Sequence, residues 1–433
     1  MKSIGEKIKE RRKELGLTQN DLSGPTLSHA MISLVERNQT KPSLKTLEFI
    51  AGKLGVTVSY LMEDEDEESV DSNNIQREIN TLEAFIKNSK ITEAENLISN
   101  LKNKELPIEF KGIFLKLSSE VEVIKKNYNE AIKMLDQSLY YITPNDLNKY
   151  IEIYYGLSFC YMQVKDYQQS IKNSLYSLLF FDSNFCSENP VLQLKLYYNL
   201  AYCYCKEAKF NEGLNIIQKA LDLMKSTDIY HQQGLFYMLQ GLAQLYLKQY
   251  NTAIESNNIA LKNLKEIKLV VGCLSNQGIL FREVENFSAS EDYLKKSIEL
   301  ANDHKLYHYS QNSKYELALT YIITGKLDEA QKICREQLIS SQEVSELNIK
   351  FTLILANIKL KHGLLSESLI YANDAETKAQ EINNDLLIAK AYSIRVKILE
   401  SQGSYKEANL LLNKILNNIQ NNSHSLYNSL DII

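Results

Sequence analysis

A small residue recurs at nearly regular intervals along most of this chain, and that repeat limits the possible folds more than any other feature. Nine such positions are separated by 37 to 43 residues, and a large apolar residue lies three positions before each. A spacing of three places both residues on one face of a helix, where the small residue lets a second helix approach closely. The sequence therefore predicts nine helical hairpins that bury one another's apolar faces. The small residues are Ala94, Ala131, Ser170, Gly213, Ala253, Ser290, Ala330, Ser368 and Ala408.

Composition favours an all-α protein, because the 433 residues include only five prolines and 15 glycines. No apolar run approaches the roughly 18 residues of a membrane helix, and the first ten residues are charged, so we expect a cytoplasmic protein. The six cysteines are scattered, which favours buried thiols over a metal site. His304 and His308 are four apart but have no third ligand nearby. With no phosphate loop or nucleophile elbow, we expect no enzymatic activity and no cofactor.

Charge divides the chain into parts. Residues 1–62 contain ten Lys and Arg against six Asp and Glu, a net charge of +4, whereas residues 63–71 contain seven acids. A basic domain followed by an acidic run is typical of a nucleic-acid reader joined to a body of another kind. We therefore predict a DNA-binding domain at 1–62, an acidic linker at 63–74, nine helical hairpins at 75–416 and a tail or capping helix at 417–433.

The stretch from Thr18 to Asn38 predicts two short helices joined by a turn. Thr18 and Ser28 are suited to cap the two helices, and Gly24 and the proline after it end the first. With the flanking amphipathic segments, this gives five helices within residues 1–62. The motifs LTQNDL, ISLVERN and KPSLKTLEFIAGKLGV resemble the XRE (Cro/cI-type) helix-turn-helix family. The chain departs from that family in two ways. The segment between Gln19 and Glu36 is one residue shorter than is usual in the family, and Leu34 occupies a position where many members have Arg.

The resemblance implies double-stranded DNA as a partner. His29 and Ser33 each offer a donor and an acceptor but no bidentate contact, so the specificity of one domain should be modest. We therefore expect a homodimer on a two-fold operator. The residues predicted at base edges or adjoining phosphates are Gln19, Ser28, His29, Ala30 and Ser33, and those on the DNA backbone are Arg37, Asn38 and Lys41.

The segments YYNLAYCYCKEAKFNEGLNIIQKAL (197–221) and YELALTYIITGKLDEA (315–330) resemble tetratricopeptide repeats. This resemblance implies a right-handed α-solenoid whose first helices line a groove that holds an extended peptide. Asn side chains suit such a site because each offers both a donor and an acceptor to a peptide backbone. Arg282 is suited to a carboxylate. The predicted peptide-binding residues are Tyr155, Phe159, Tyr198, Asn199, Tyr202, Asn276, Arg282 and Asn312.

Together the two resemblances identify the chain as similar to the peptide-responsive quorum-sensing regulators of Gram-positive bacteria, the Rgg, Rap, NprR, PlcR and PrgX group, and most like the NprR and PlcR branch. That similarity implies a transcription regulator whose DNA binding changes when a short signalling peptide occupies the repeat groove. Two alternatives stay open. The repeats could sequester a response-regulator protein, as Rap-like members do, or they could serve only to dimerise a repressor that needs no peptide.

Overall fold

The computed structural model describes residues 3–24, 27–40, 42–62, 68–143, 146–182, 189–340 and 344–421. Within these ranges there are 22 α-helices and no strand, apart from an isolated bridge between Gly24 and Leu27. The predicted all-α fold is confirmed. The chain divides into two compact units, Met1–Asn189 and Pro190–Ile433.

The N-terminal domain of the first unit contains four helices: α1 (Ile4–Glu14), α2 (His29–Glu36), α3 (Leu44–Leu54) and α4 (Val58–Met62). Three serines begin helices by accepting a backbone N–H, as the sequence pattern predicts for short polar caps. Apolar side chains from every helix meet in one core, which includes Ile8, Leu22, Ile32, Ile50 and Leu61, each fully buried.

The second of the five predicted helices does not form. Thr18 and Asp21 do make the expected reciprocal side-chain bonds, but the backbone bonds join residues three apart, from Asp21 to Thr18 and from Ser23 to Asn20. The segment is therefore a pair of turns. A single turn pays the full cost of helix nucleation without propagation, and Gly24 immediately turns the chain to pair with Leu27.

The rest of the first unit consists of three helix pairs. Helix α5 begins within the predicted linker, of which residues 63–67 lie outside the described ranges. The helices are α5 (Glu68–Lys87), α6 (Ile91–Lys102), α7 (Ile108–Ile124), α8 (Tyr128–Leu139), α9 (Leu147–Gln163) and α10 (Tyr167–Asp182).

The second unit consists of six further pairs. Its helices are α11 (Pro190–Lys206), α12 (Phe210–Thr227), α13 (Gln233–Tyr246), α14 (Tyr250–Asn263), α15 (Ile267–Glu283), α16 (Phe287–Asp303), α17 (Tyr307–Ile323), α18 (Leu327–Ser340), α19 (Glu346–Lys361), α20 (Leu365–Glu381), α21 (Asp385–Ser401) and α22 (Tyr405–Asn421). The last helix extends into the predicted tail, whose residues 422–433 lie outside the described ranges. Along this unit, successive first helices contact one another from α11 to α21.

The same turn joins the two helices in all nine described pairs. Each second helix begins at the large apolar residue of the repeat, and the residue two positions before it has a left-handed backbone with φ between 57° and 76°. The next residue donates its N–H to a carbonyl five residues earlier, at 2.8 to 3.0 Å, as in a Schellman helix end. The recurring small residue then packs against the first helix. At Ser170 and Ser368, for example, the buried hydroxyl donates to a carbonyl of that helix.

Candidate functional site

The first candidate surface is the beginning of α2. Ser28, His29 and Ala30 are exposed there, and Ser33 is half-buried one turn later. His29 borders an open depression whose other walls include Gln19 and residues of the preceding turn. Short polar side chains at the exposed start of a helix leave room for a close approach to base edges in a major groove.

A buried ion pair fixes α2 against α1. Glu36 is 4% exposed and accepts two bonds from the Arg12 guanidinium, at 2.6 and 3.0 Å. Gln19 donates a third bond to the same carboxylate at 2.7 Å. Burial alone would raise the pKa of Glu36, but the bonds from Arg12 and Gln19 lower it, so the carboxylate stays charged. Gln19, which the sequence suggests only as a DNA contact, therefore also positions α2.

The residues predicted to contact the DNA backbone occupy different settings. Arg37 is exposed at the end of α2. Asn38 has a left-handed backbone with φ 58°, its side-chain oxygen accepts the Gly5 N–H at 3.1 Å, and its amide donates to the Ser3 hydroxyl. Asn38 thus ties the end of α2 to the start of α1. Lys41 lies outside the described residues.

The second candidate site is a cavity of about 390 Å³ in the Pro190–Ile433 unit. Every wall comes from the first helix of a pair: α13, α15, α17, α19 and α21 supply the lining. The cavity brings together three of the eight residues predicted to bind peptide, namely Asn276, Arg282 and Asn312. Met238, Ile279 and Leu319 add apolar surface between these polar groups.

Among the residues that line the cavity, Asn276 has a buried side-chain donor that is not satisfied by the rest of the described chain. Its side chain is 4% exposed, yet its amide nitrogen Nδ2 has no hydrogen-bond partner among the described residues. Asn257, also fully enclosed, shows the usual alternative: its amide donates to the Cys273 carbonyl at 2.8 Å and to the Gln277 side chain at 2.6 Å. A buried amide without a partner is destabilising, so the Asn276 Nδ2 is available to donate to a group that enters the cavity.

Charged side chains at the cavity are partly compensated. Arg282 is paired with Glu316 at 2.8 Å, and Lys350 is paired with Glu346 at 2.7 Å. Lys390 has no ion-pair partner among the described residues, and burial together with the nearby Lys350 lowers its pKa. The cavity therefore carries an uncompensated positive charge, and the Arg282 guanidinium is already engaged by the protein's own carboxylate.

The other predicted peptide residues lie elsewhere. On α11, Tyr198 stacks on Tyr202 with ring centroids 6.3 Å apart, and burial raises the pKa of Tyr198 to about 12. Asn199 is 4% exposed on the same helix and does not line the cavity. In the first unit, Phe159 packs edge to face with the Tyr128 ring at 6.4 Å.

Tyr155 also belongs to the first unit, on α9, where burial raises the pKa of its hydroxyl. Like Phe159, it sits on the first helix of its pair and is half-buried. The predicted peptide residues thus fall into three groups, on α9, on α11 and around the cavity, and only the third group shares a described cavity wall.

Sequence reasoning missed Lys350 and Lys390, although a signal was present. Both lie eighteen residues before a recurring small residue, the same register as the predicted Asn312 and as Gly272. All four line the cavity. Extending the Asn312 prediction along the repeat would have found both lysines.

Every helix in the described part of the chain is either too short or too polar to span a bilayer. Within the same ranges, no group of three or more His, Cys, Asp or Glu side chains is arranged to hold a metal ion. The five cysteines described are all buried free thiols.

Comparison with known proteins identifies the N-terminal domain. The Helix-turn-helix family model HTH_3 matches residues 8–61. The immunity repressor protein of Bacillus phage phi105 is 42% identical over 64 residues, which are 14% of this chain and 44% of the repressor. The matching segments span 44 to 63% of the curated relatives found. The chain thus begins with an XRE-type helix-turn-helix domain, as the sequence motifs predicted.

Solved structures resemble about four fifths of the chain. The apo form of the quorum sensor NprR from B. thuringiensis has a TM-score of 0.65 at 15% identity, covering 80% of this chain and 99% of that one. A Rap protein complexed with Competence and Sporulation Factor has a TM-score of 0.53 at 13% identity, covering 82% and 99%. At these identities the similarity shows a shared fold, and the predicted resemblance to this group of regulators is confirmed at that level.

Proposed function

We propose that this chain is a cytoplasmic transcription regulator. The proposal starts from its architecture, an XRE-type helix-turn-helix domain followed by tetratricopeptide-like repeats. The chain binds duplex DNA through α2 and a short signalling peptide in the cavity lined by α13 to α21, and the peptide changes its affinity for DNA. The observation that carries the ligand part is the buried, unpartnered amide of Asn276. The family match over residues 8–61 supports the DNA part.

Two features support DNA binding by α2: the exposure of its side chains and the positive net charge of the N-terminal domain. The exposed start of α2 presents His29 and its neighbours, while Arg37 stands exposed at the other end of the helix. The net charge of +4 on residues 1–62 favours association with phosphates. Because short side chains discriminate weakly, two domains on a two-fold operator would supply the specificity, so we propose a homodimer.

The chemistry of the cavity favours a peptide. An extended backbone offers alternating carbonyl and N–H groups, which the Asn276 amide and the Asn312 side chain are suited to bind. The volume of about 390 Å³ lies within the range of small-ligand pockets, and the apolar patches would accept a few side chains. A repressor that needs no peptide would be expected to have a groove lined by aliphatic side chains. The lining here includes Asn276, Asn312 and Arg282, which favours the hypothesis that a peptide binds.

Peptide binding would act by selecting among shapes of the chain. A ligand shifts an equilibrium only by as much as its affinities for the two states differ. A peptide that binds one arrangement of the first helices more tightly therefore changes the population competent for DNA, and by linkage DNA changes the affinity for peptide to the same degree.

DNA binding is tested with the full-length chain and a random pool of duplexes, from which the bound sequences are selected and measured by fluorescence anisotropy. We expect His29→Ala to change the selected sequence and Arg37→Ala to weaken all duplexes and lower the salt slope by about one. Arg335→Ala, which removes an exposed Arg outside the N-terminal domain, is the control. If no duplex is selected, or if neither variant differs from the control, the assignment of α2 as the reader is wrong.

Peptide binding is tested by thermal-shift screening of short peptides encoded by small open reading frames near the gene, followed by calorimetry. A peptide that binds the folded state alone raises the unfolding temperature. We expect Asn276→Ala to weaken the bound peptide by roughly tenfold or more, because it removes a buried bond to the ligand. Unchanged peptide affinity in this variant would remove Asn276 from the site.

A further inference from the structure

The Pro190–Ile433 cavity has an asymmetry of charge that its amide chemistry does not explain. Three cationic side chains, Arg282, Lys350 and Lys390, line it. Two of these cations form ion pairs with carboxylates: Arg282 with Glu316 at 2.8 Å, and Lys350 with Glu346 at 2.7 Å. Lys390 is left without a counter-ion among the described residues, so one positive charge in the lining is uncompensated.

The positions of these groups give the cavity a direction. First helices contact one another in the order α15, α17, α19, α21. Asn276, with its unpartnered amide, is on α15, whereas Lys350 and Lys390 are on α19 and α21. The unmet amide donor and the unmet cation therefore belong to first helices that are separated by α17 and α19. Both kinds of group, an N–H and an ammonium, call for an acceptor on the ligand.

We infer that the ligand carries a carboxylate and binds with it at Lys390, while its backbone accepts a bond from the Asn276 amide. The inference rests on the proposed function, since it specifies which peptides the cavity takes. Arg282, which the sequence also suggested for this role, already bonds Glu316 between α15 and α17. The carboxylate belongs either to the end of the peptide chain or to an Asp or Glu side chain.

The state of Lys390 supports this assignment. Its pKa is lowered by burial and by repulsion from Lys350, and the carboxylates of Glu346 and Glu316 offset that effect in part. A ligand carboxylate next to the Lys390 ammonium would offset both the cost of burial and the repulsion from Lys350, because it favours the charged form of the lysine.

Three pools of random heptapeptides test the inference on the full-length protein by calorimetry and thermal shift. One has a free C-terminus and no Asp or Glu, the second is amidated and contains Asp and Glu, and the third is amidated and lacks both. We expect the first or the second to bind roughly ten- to hundredfold more tightly than the third. The pool that does so identifies the source of the carboxylate.

Substitutions then assign the preference to the residue. Lys390→Met should bring the preferred pool to within about threefold of the third pool, and Lys390→Glu should reverse the order, because a carboxylate would then face a carboxylate. Lys397→Met, an exposed lysine on the same helix that does not line the cavity, should retain the full preference.

The two proposals fail in different ways. Equal binding of all three pools, or a preference that survives Lys390→Met, overturns the carboxylate inference and leaves peptide binding standing. If no pool and no gene-encoded peptide binds the wild type, the proposed function itself is overturned, and this inference falls with it.

Discussion

Replacing Asn276 should cost the fold little, and replacing Asn257 should cost it much, although both are buried asparagines in adjacent helix pairs. Asn257 donates to the Cys273 carbonyl and to Gln277, at 2.8 and 2.6 Å, and accepts from the Cys273 thiol at 2.9 Å. Its loss removes these bonds and leaves the buried Gln277 oxygen short of a donor. At about 1 kcal/mol per bond, with an added penalty for the unsatisfied group, Asn257→Ala should cost roughly 2–4 kcal/mol.

Asn276→Ala removes no hydrogen bond from Nδ2 that the described residues supply, because that atom has no partner among them. The variant loses some packing but also removes a desolvated donor, so the free energy of unfolding should stay within about 1 kcal/mol of the wild type. Urea unfolding followed by circular dichroism, with hydrogen exchange of α14 and α15 as the local probe, measures both variants under the same conditions. A cost for Asn276→Ala equal to that for Asn257→Ala would refute the view that this amide is kept for a ligand.

Three further predictions concern the fold. Lys165 has a left-handed backbone with φ 63° in its turn, so Lys165→Gly should raise the free energy of unfolding in urea by roughly 0.5–1 kcal/mol. Gly403 occupies the same position in the turn of the last pair, and Gly403→Lys should lower the free energy of unfolding by a similar amount. Stabilities equal to that of the wild type would show that these turns are not strained by a side chain. Burial alone would raise the pKa of Glu291, but bonds from two lysines and a tyrosine hold it at about 2. Because this folded pKa is below the ordinary value of 4.5, the ionised Glu291 stabilises the fold above pH 4.5, and this contribution is lost as the pH falls towards 2. Over that range the free energy of unfolding of the wild type should fall by about 1–2 kcal/mol more than that of Glu291→Gln, after allowance for solvent screening. Parallel stability curves for the two proteins against pH would contradict this prediction. Glu36→Gln removes the charge that Arg12 faces, so it should cost the N-terminal domain about 3 kcal/mol by hydrogen exchange of α1 and α2, and unchanged protection would show that the ion pair does not hold them together.

The repeat could be read from the sequence because it is a local pattern. A small residue three positions after a large one fixes where each second helix begins, and the structure places those helix starts at residues such as Tyr128 and Phe287. The large residue, the turn before it and the buried small residue are all within one stretch of about six residues, so no long-range information is needed to place them.

Contacts between different pairs could not be read in the same way. Arg282 and Glu316 are 34 residues apart, and their ion pair depends on the offset between α15 and α17. Gln19 similarly reaches Glu36 only because the chain reverses at Gly24. The sequence predicts ligand contacts for Arg282 and Gln19, but it does not reveal the protein partners that the packing brings to them.

The predicted helix at Thr18 shows a limit of another kind. Its capping bonds form as the motif predicts, yet the helix they would begin does not follow. A cap stabilises a helix end but does not supply the residues needed to propagate it, and here the reversal at Gly24 comes too early.

The central claim is that a peptide in the Pro190–Ile433 cavity changes DNA binding by the N-terminal domain. The most direct measurement is the dissociation constant of the full-length chain for its selected duplex, by fluorescence anisotropy at fixed salt, with and without a saturating peptide. We predict a change of roughly fivefold or more in the wild type, matched by an equal change in peptide affinity when DNA is saturating. At a peptide concentration that just saturates the wild type, the change in Asn276→Ala should be smaller, because that variant binds the peptide more weakly. A peptide that binds the wild type and leaves its DNA affinity unchanged would contradict the account.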